Sequence, residues 1–191
     1  MIRAAVFGIV RRGRRRRVTD LPIAAPEGWN VTLTGWQLDQ SDCDVWLEVM
    51  HLARKTTPGE PLRFTVHAML KRLGLKGDGG DNRLWLTQRL RRLAQTTLSF
   101  DSKHSEGTSG SLLGTFKIDK TSGEAVVRTN PEVRSLFESV THLDVERRRS
   151  LGSNQLAKAL HAMLSSHAAW LPMRIETLMR RVGADYRGGL G

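Results

Sequence analysis

Regular hydrophobic periodicity starts at Trp29, where apolar and polar residues begin to alternate. This alternation predicts a strand over 29–36. From residue 45 onward the apolar positions fall three and four apart, which predicts a helix that buries one face. Asp39 is a suitable amino-terminal cap for this helix, and Asp42 lies in its first turn, where a carboxylate stabilises the helix dipole.

A helix-turn-helix outline follows over 60–95, which is where the chain's strongest pattern lies. Leu62 and Phe64 flank a polar residue and predict a short strand. Thr65 is then placed to cap a helix over residues 66–73, which a glycine ends. A glycine-rich turn leads from this helix into a second one.

The second helix is predicted to be capped by Asp81 or Asn82. Its inward face is predicted from Leu84, Trp85, Leu86, Leu90 and Leu93. Its cations lie mostly off that stripe and are Arg83, Arg89, Arg91 and Arg92. We therefore expect this helix to bury one side and to present cations on the other. The turn before it, GDGGD, lacks the ending of a phosphate loop, which argues against nucleotide binding.

Strands are predicted after this helix at 97–100, 112–118 and 125–128, with a polar loop over 101–111 that carries Lys103. A hairpin after a helix-turn-helix unit predicts a winged helix. Pro131 suits the first turn of a helix through residue 137, capped by Asn130.

The order of elements then repeats. Ser153 or Asn154 can cap a helix that extends to residue 166, and a shorter helix over 174–182 ends at Gly183. The apolar stripe of the longer helix is Leu156, Ala157, Leu160, Met163 and Leu164. This repeats the pattern seen between Asp39 and Gly74, so we expect internal duplication.

The predicted fold class is α+β and helix-rich, a winged-helix domain followed by the first part of a second. We expect a basic flexible arm over 1–28, a first winged-helix domain over 29–140, and the start of a second over 141–191. The second is expected to be incomplete at Gly191, since its recognition helix and wing should begin near Asp185.

Charge changes the picture at the amino terminus. The 191 residues carry a net charge of +11, and residues 1–20 contribute +6 of it, from seven arginines and one aspartate. Six like charges in the seven positions of RRGRRRR predict an extended, solvated arm. A polyanionic partner is indicated, either nucleic acid or an anionic membrane surface, although a purely solubilising tail stays an alternative.

No pattern indicates an enzyme. Cys43 is the single cysteine, which favours a reducing, cytoplasmic compartment. It lies between two aspartates, whose charges disfavour a reactive thiolate. The histidines show no metal-ligand spacing and are His51, His67, His104, His142, His161 and His167. Tyr186 is the sole tyrosine, which argues against a relaxase, and no apolar run nears the roughly 18 residues that span a bilayer. We expect no cofactor and no metal.

Three stretches together resemble the TrfA-type plasmid replication initiators. The first is WQLDQSDCDVWLEVMHLARKTTPGEPLRFTVHAMLKRLG, followed by RLWLTQRLRRLAQTTLSF. The second is LAKALHAMLSSHAAWLPMRIETLMRRVGAD, which resembles the start of that family's second half. The third is AVFG followed by a basic stretch.

The resemblance implies tandem winged helices that bind directly repeated origin sequences, called iterons, in double-stranded DNA. It also implies as partners the host replication initiator, the helicase and the sliding clamp, with a possible homodimer through the first winged helix. Bacterial cytoplasm is the implied location. The alternatives are a winged-helix transcription regulator and a protein-interaction module.

The residues expected to contact DNA are the cations of the arm, the second helix, the loop and the second half. They are Arg12, Arg14, Arg15, Arg16, Arg17, Arg83, Arg89, Arg91, Arg92, Lys103, Arg174, Arg180, Arg181 and Arg187.

Overall fold

A computed structural model describes residues 5–10, 15–25, 27–77, 79–103, 105–133, 143–166 and 172–184. The helices are α1 (Gln40–Ala53), α2 (Val66–Arg72), α3 (Gly80–Ala94), α4 (Val145–Ser150), α5 (Gln155–Ser165) and α6 (Ile175–Arg181). The strands are β1 (Phe7–Gly8), β2 (Arg17–Ile23), β3 (Trp29–Trp36), β4 (Leu38–Asp39), β5 (Pro61–Thr65), β6 (Thr97–Ser102), β7 (Ser105–Ser111), β8 (Leu113–Ile118) and β9 (Glu124–Thr129). The α+β class is confirmed.

An antiparallel four-stranded sheet has the order β2-β3-β6-β7. The predicted strand over 29–36 is confirmed as β3. The predicted polar loop over 101–111 is wrong, because β6 and β7 form a hairpin there. The small polar residues of β7 show no apolar alternation, and Gly107 leaves room for the ring of Phe100, whose Cζ would lie 3.2 Å from an added Cβ.

Part of the segment predicted as a flexible arm belongs to this sheet. Residues 17–23 form β2, which pairs with β3 and has an irregularity between Val18 and Leu21. Asp20 adopts a φ of 48° at this irregularity, and its side chain accepts a hydrogen bond from the hydroxyl of Thr34. The short alternating pattern of β2 was not recognised in the sequence because it directly follows a run of arginines.

The three-stranded sheet has the order β5-β9-β8 and packs against the helices α2 and α3. The largest buried side chain here is Trp46 of α1, and the leucines of α2, α3 and β8 surround the same core. Thr65 caps α2 as predicted, accepting from the N–H of Ala68 at 3.1 Å. The backbone N–H of Val66 donates to Gly123 in the β8–β9 turn, which joins the start of α2 to the hairpin.

The start of α3 differs from the prediction. Gly79 is its cap and offers no side-chain hydrogen bond. The predicted caps Asp81 and Asn82 lie within the first turn, and the Asn82 amide donates to the carbonyls of Lys76 and Gly77 instead. The glycine-rich turn is therefore closed by a residue inside the helix.

The second half comprises α4, α5 and α6. Asn154 caps α5 as predicted, accepting from the N–H of Ala157 at 3.0 Å. The predicted burial of its apolar stripe is wrong at two of its positions, because Leu156 and Leu164 are 38% and 47% exposed. Ala159 is buried instead, since α5 contacts α1 through a different side.

Charged side chains join the second half to α1. The buried Arg148 donates from Nε to Asp44 at 2.6 Å, and also bonds to the side chain and carbonyl of Gln40. Lys158 reaches the other carboxylate oxygen of Asp44 at 2.6 Å. Glu48 binds a further arginine of α4, so the joint is an ionic one.

The amino-terminal segment bridges the two halves. β1 pairs in parallel with β4, and the next residue, Ile9, bridges Ala184 just after α6. Gly8 approaches Gly183 so closely that an added Cβ would lie 2.7 Å from the Gly183 carbonyl oxygen. Glycine is required at this crossing because backbone meets backbone there.

Three expectations lie outside the described residues: the end of the helix predicted to reach residue 137, the residues between α5 and α6, and the tail after 184. Residues 131–133 are helical, and Asn130 accepts from the N–H of Glu132. Within the described parts of the chain, no helix is long and apolar enough to cross a bilayer.

Candidate nucleic-acid interface

The outward face of α3 carries Leu84, Gln88, Arg91 and Gln95, all exposed and spaced four, three and four residues apart. This spacing places them on one side of a helix. The opposite side carries Leu86, Leu90 and Leu93, which are fully buried. The predicted inward stripe is therefore confirmed at these three leucines and wrong at Leu84, which is 56% exposed.

Arg92 turns away from this outward face towards α1. Its Nε and Nη2 donate to Oδ1 of Asp42 at 2.9 and 2.5 Å, and its side chain is only 11% exposed. Asp42 also completes the capping box at the start of α1, in which its side chain accepts from the N–H of Asp39. One carboxylate thus holds both the start of α1 and the last turns of α3.

Arg15, from the predicted arm, contacts the same pair of carboxylates. Its Nη1 donates to Oδ2 of Asp42 at 2.9 Å, and its Nη2 donates to Asp39. Although burial acts to raise it, the pKa of Asp39 is lowered by the hydrogen bond from Ser41 and by the charge of Arg15. Burial and the charge of Asp39 raise the pKa of Asp42, against the opposing effect of Arg92.

Arg89 is also directed inward. Its guanidinium lies 4.2 Å from the ring centroid of Trp85, and its Nη2 is 3.4 Å from the hydroxyl of Ser41. Burial, and then the charge of Arg92, lowers its pKa to about 10. It stays cationic at neutral pH, but its charge faces the interior of the fold. The sequence-based expectation of a cationic face on α3 therefore does not hold for Arg89 or Arg92.

Arg17 extends the outward face beyond the carboxyl-terminal end of α3. Its guanidinium lies 5.0 Å from the centroid of Trp36 and donates to the side-chain oxygen of Gln95 at 3.3 Å. Trp36 donates to the same oxygen from Nε1 at 3.1 Å. Arg16 is exposed beside this cluster. The structure thus brings β2, β3 and α3 to one surface.

The β8–β9 hairpin supplies cations that the sequence did not single out. Lys117 and Lys120 are exposed on it, and Asp119 shapes its turn by accepting from two backbone N–H groups at 2.8 Å. Arg83 of α3 lies against this turn, because a Cβ on Gly123 would meet its Nη2 at 2.6 Å. The TSG turn signalled this hairpin, but nothing in the sequence favoured its lysines over Lys103.

The remaining predicted contacts are dispersed. Lys103 is exposed in the β6–β7 turn. Arg174, Arg180 and Arg181 are exposed on and next to α6, in the second half. Arg12, Arg14 and Arg187 lie outside the described residues.

Reactive chemistry is not apparent in the described parts of the chain. Cys43 is buried in α1, and burial raises the pKa of its thiol to about 11. No group of three or more His, Cys, Asp or Glu side chains among the described residues is placed to hold a metal ion.

Among solved structures, domains 2 and 3 of RctB have the same fold in two crystal structures. The first has a TM-score of 0.58 at 13% identity, over 93% of this chain and 75% of that chain. The second has a TM-score of 0.54 at 11% identity, over 87% of this chain and 68% of that chain.

Sequence comparison gives the family of the chain. The plasmid replication initiator protein TrfA of Escherichia coli is 30% identical over 166 aligned positions, in a match that covers 81% of this chain and 42% of that protein. The chain therefore spans about two fifths of the length of this curated relative. A family model described as TrfA protein matches residues 14–188. The resemblance stated from the sequence is confirmed, and the chain belongs to the TrfA family.

Proposed function

We propose that this chain is a DNA-binding part of a plasmid replication initiator, and that it binds repeated origin sequences (iterons) in double-stranded DNA. The observation that carries the proposal is the family match over residues 14–188, joined to a relative named as a plasmid replication initiator. A non-enzymatic role fits the exposed cations and the inert Cys43.

A winged-helix domain in the first half is part of this proposal. The order α1-β5-α2-α3-β8-β9, with β5 paired to β9 and β9 to β8, supports it. In this proposal α3 is the recognition helix and the β8–β9 hairpin is the wing. The β6–β7 hairpin is then an insertion, since it pairs with β3 in the other sheet. The helices α5 and α6 would begin a second winged helix, which keeps the tandem arrangement.

The cations that remain exposed define where DNA would lie. When the inward-facing arginines are not counted, the remaining exposed cations lie on four surfaces. These are the outward face of α3, the β8–β9 hairpin, the β6–β7 turn and the start of β2. The exposed cations on them are Arg16, Arg17, Arg91, Lys103, Lys117, Lys120 and Arg128. Phosphate contacts by such residues release condensed counterions and make affinity depend steeply on salt.

The wider partners are proposals as well. The host replication initiator, the helicase, the sliding clamp and a second copy of the chain would bind surfaces other than the outward face of α3. Plasmid replication in cells, with the gene supplied to a plasmid that carries only the origin, would separate an initiator from a transcription regulator.

A salt titration of duplex binding tests the core of the proposal. We expect retardation of a duplex in a gel at about 50 mM salt and a large loss of affinity by about 200 mM. Arg91→Ala should weaken binding, while the matched control Arg54→Ala should not. Arg54 directly follows the carboxyl-terminal end of α1. At a rise of 1.5 Å per residue it lies roughly 18 Å along the helix from Asp42, the residue of α1 that binds Arg92 of α3. Absence of duplex binding by the unaltered chain at low salt would refute the proposal.

A further inference from the structure

The outward face of α3 has a composition that phosphate binding does not explain. A helix that only clamps phosphates presents several cations, but Arg89 and Arg92 are turned inward and Arg92 is ion-paired. The outward face keeps one exposed cation in its centre, Arg91, beside an exposed amide and a leucine that is 56% exposed. An exposed leucine adds nothing to phosphate affinity.

The same three side chains match the chemistry of base edges in the major groove. An aliphatic group contacts the methyl of thymine, a glutamine amide pairs with N6 and N7 of adenine, and a guanidinium pairs with O6 and N7 of guanine. The outward face of α3 offers all three groups, from Leu84, Gln88 and Arg91 respectively. From the first to the last they span roughly 10 Å along the helix axis at 1.5 Å per residue, close to the rise of three base pairs.

The helix is also held firmly enough to read sequence. Its inner leucines are fully buried, and Arg92 ties it to Asp42. Gln95, at its carboxyl-terminal end, accepts hydrogen bonds from both Arg17 and Trp36. Recognition of bases requires side chains on an element whose position is fixed by its own packing.

We propose that α3 of the first half reads base sequence through Leu84, Gln88 and Arg91, and that it does not act on the phosphate backbone alone. This inference rests on the proposed DNA binding. The exposed Arg17 and Lys117 then hold the flanking phosphates.

The test is selection from a pool of short duplexes of random sequence at physiological salt, followed by sequencing of the bound fraction. The unaltered chain should select a consensus. Leu84→Ala, Gln88→Ala and Arg91→Ala should each lose preference at a different base pair, within a run of about three. The loss should be roughly ten-fold or more for Gln88→Ala and Arg91→Ala, whose side chains can form bidentate pairs, and smaller for Leu84→Ala. The control Lys117→Ala should lower affinity for all duplexes and leave the consensus unchanged.

Each other outcome overturns the inference in a recognisable way. If the three α3 variants select the unaltered consensus with uniformly lower affinity, α3 contacts phosphates only. If they bind every duplex as the unaltered chain does, while losing self-association in sedimentation, the face is a protein contact. If the unaltered chain retains no duplex at low salt, the proposed function fails together with the inference. Circular dichroism melting of each variant checks that these exposed substitutions leave the fold intact.

Discussion

The helices α3 and α5 have the same kind of apolar spacing but very different surroundings. In α3 the inner leucines are fully buried, because α1, α2 and β8 pack around the helix. In α5 the leucines at 156 and 164 remain 38% and 47% exposed, and Ala159 is the buried residue. Periodicity therefore identifies which residues can form a core, while the neighbouring elements decide whether they do.

The two helices also differ in how they meet α1. At α3 the contact combines an apolar core with an ion pair between Arg92 and Asp42. At α5 the joint is ionic: Lys158 of α5 and Arg148 of the preceding α4 share the carboxylate of Asp44. The first half is thus held by burial, and the second half is attached to it by charge.

The largest effect should come from breaking the ionic joint. Arg148→Ala removes one of the two cations on Asp44 and leaves the polar atoms of Gln40 without their buried partner, so we expect a loss of about 3–5 kcal/mol in the free energy of unfolding. Urea denaturation measures it. The neighbouring Arg147→Ala, at an exposed position of α4, is the control and should change stability by less than about 0.5 kcal/mol. Equal effects of the two substitutions would contradict an ionic joint.

A paired truncation sharpens the contrast between the helices. Leu90→Ala in α3 should cost about 2–5 kcal/mol, because a fully buried side chain is removed and a cavity remains. Leu164→Ala in α5 should fall within about 0.5 kcal/mol of zero, since that residue is 47% exposed. Denaturation curves recorded side by side decide this. A large loss for Leu164→Ala would mean that another part of the chain covers it.

The strand that bridges the halves offers a third test. Gly8→Ala places a Cβ 2.7 Å from the carbonyl oxygen of Gly183, and we expect this overpacking to cost about 1–3 kcal/mol. Gly80→Ala is the matched control, because its added Cβ meets no atom within 4 Å. Thermal melting compares them. A harmless Gly8→Ala would show that the two backbones can separate without loss.

The smallest effect concerns pH and the second half alone. Burial, followed by the charges of Arg148 and Arg147, lowers the pKa of His161. The unfolded chain therefore binds this proton more readily than the folded one, and stability falls as pH drops through the usual range of histidine. His161→Gln should remove that contribution, so the stability of the unaltered chain relative to the variant should decrease between pH 7.5 and pH 5.5. Denaturation at both values tests the sign, and an unchanged difference would contradict it.

The helix caps could be predicted from the sequence because a cap depends only on residues close to it along the chain. The caps Asp39, Thr65 and Asn154 act through residues two or three positions away, and all three are confirmed. The cap at Gly79 was missed because its role depends on the closure of the glycine-rich turn by Asn82.

Contacts across the fold could not be predicted in this way. Arg92 meets Asp42 across fifty residues of chain, so no spacing rule shows that its charge faces inward. The strand β7 was missed because its pairing comes from its backbone and not from apolar side chains. The family resemblance reached further than periodicity, since the family model matches residues 14–188 and not a single element.

The sharing of Asp42 between the cap of α1 and two arginines has a consequence for any polyanion that binds nearby. A phosphate that attracted Arg92 or Arg15 would have to compete with a carboxylate on which the first turn of α1 depends. The total of 30 lysines and arginines therefore overstates the number of cations available to a polyanion without disturbing a helix end. If DNA binds as proposed, the slope of the salt dependence should report the cations that contact phosphate, and Arg15 and Arg92 should not be among them.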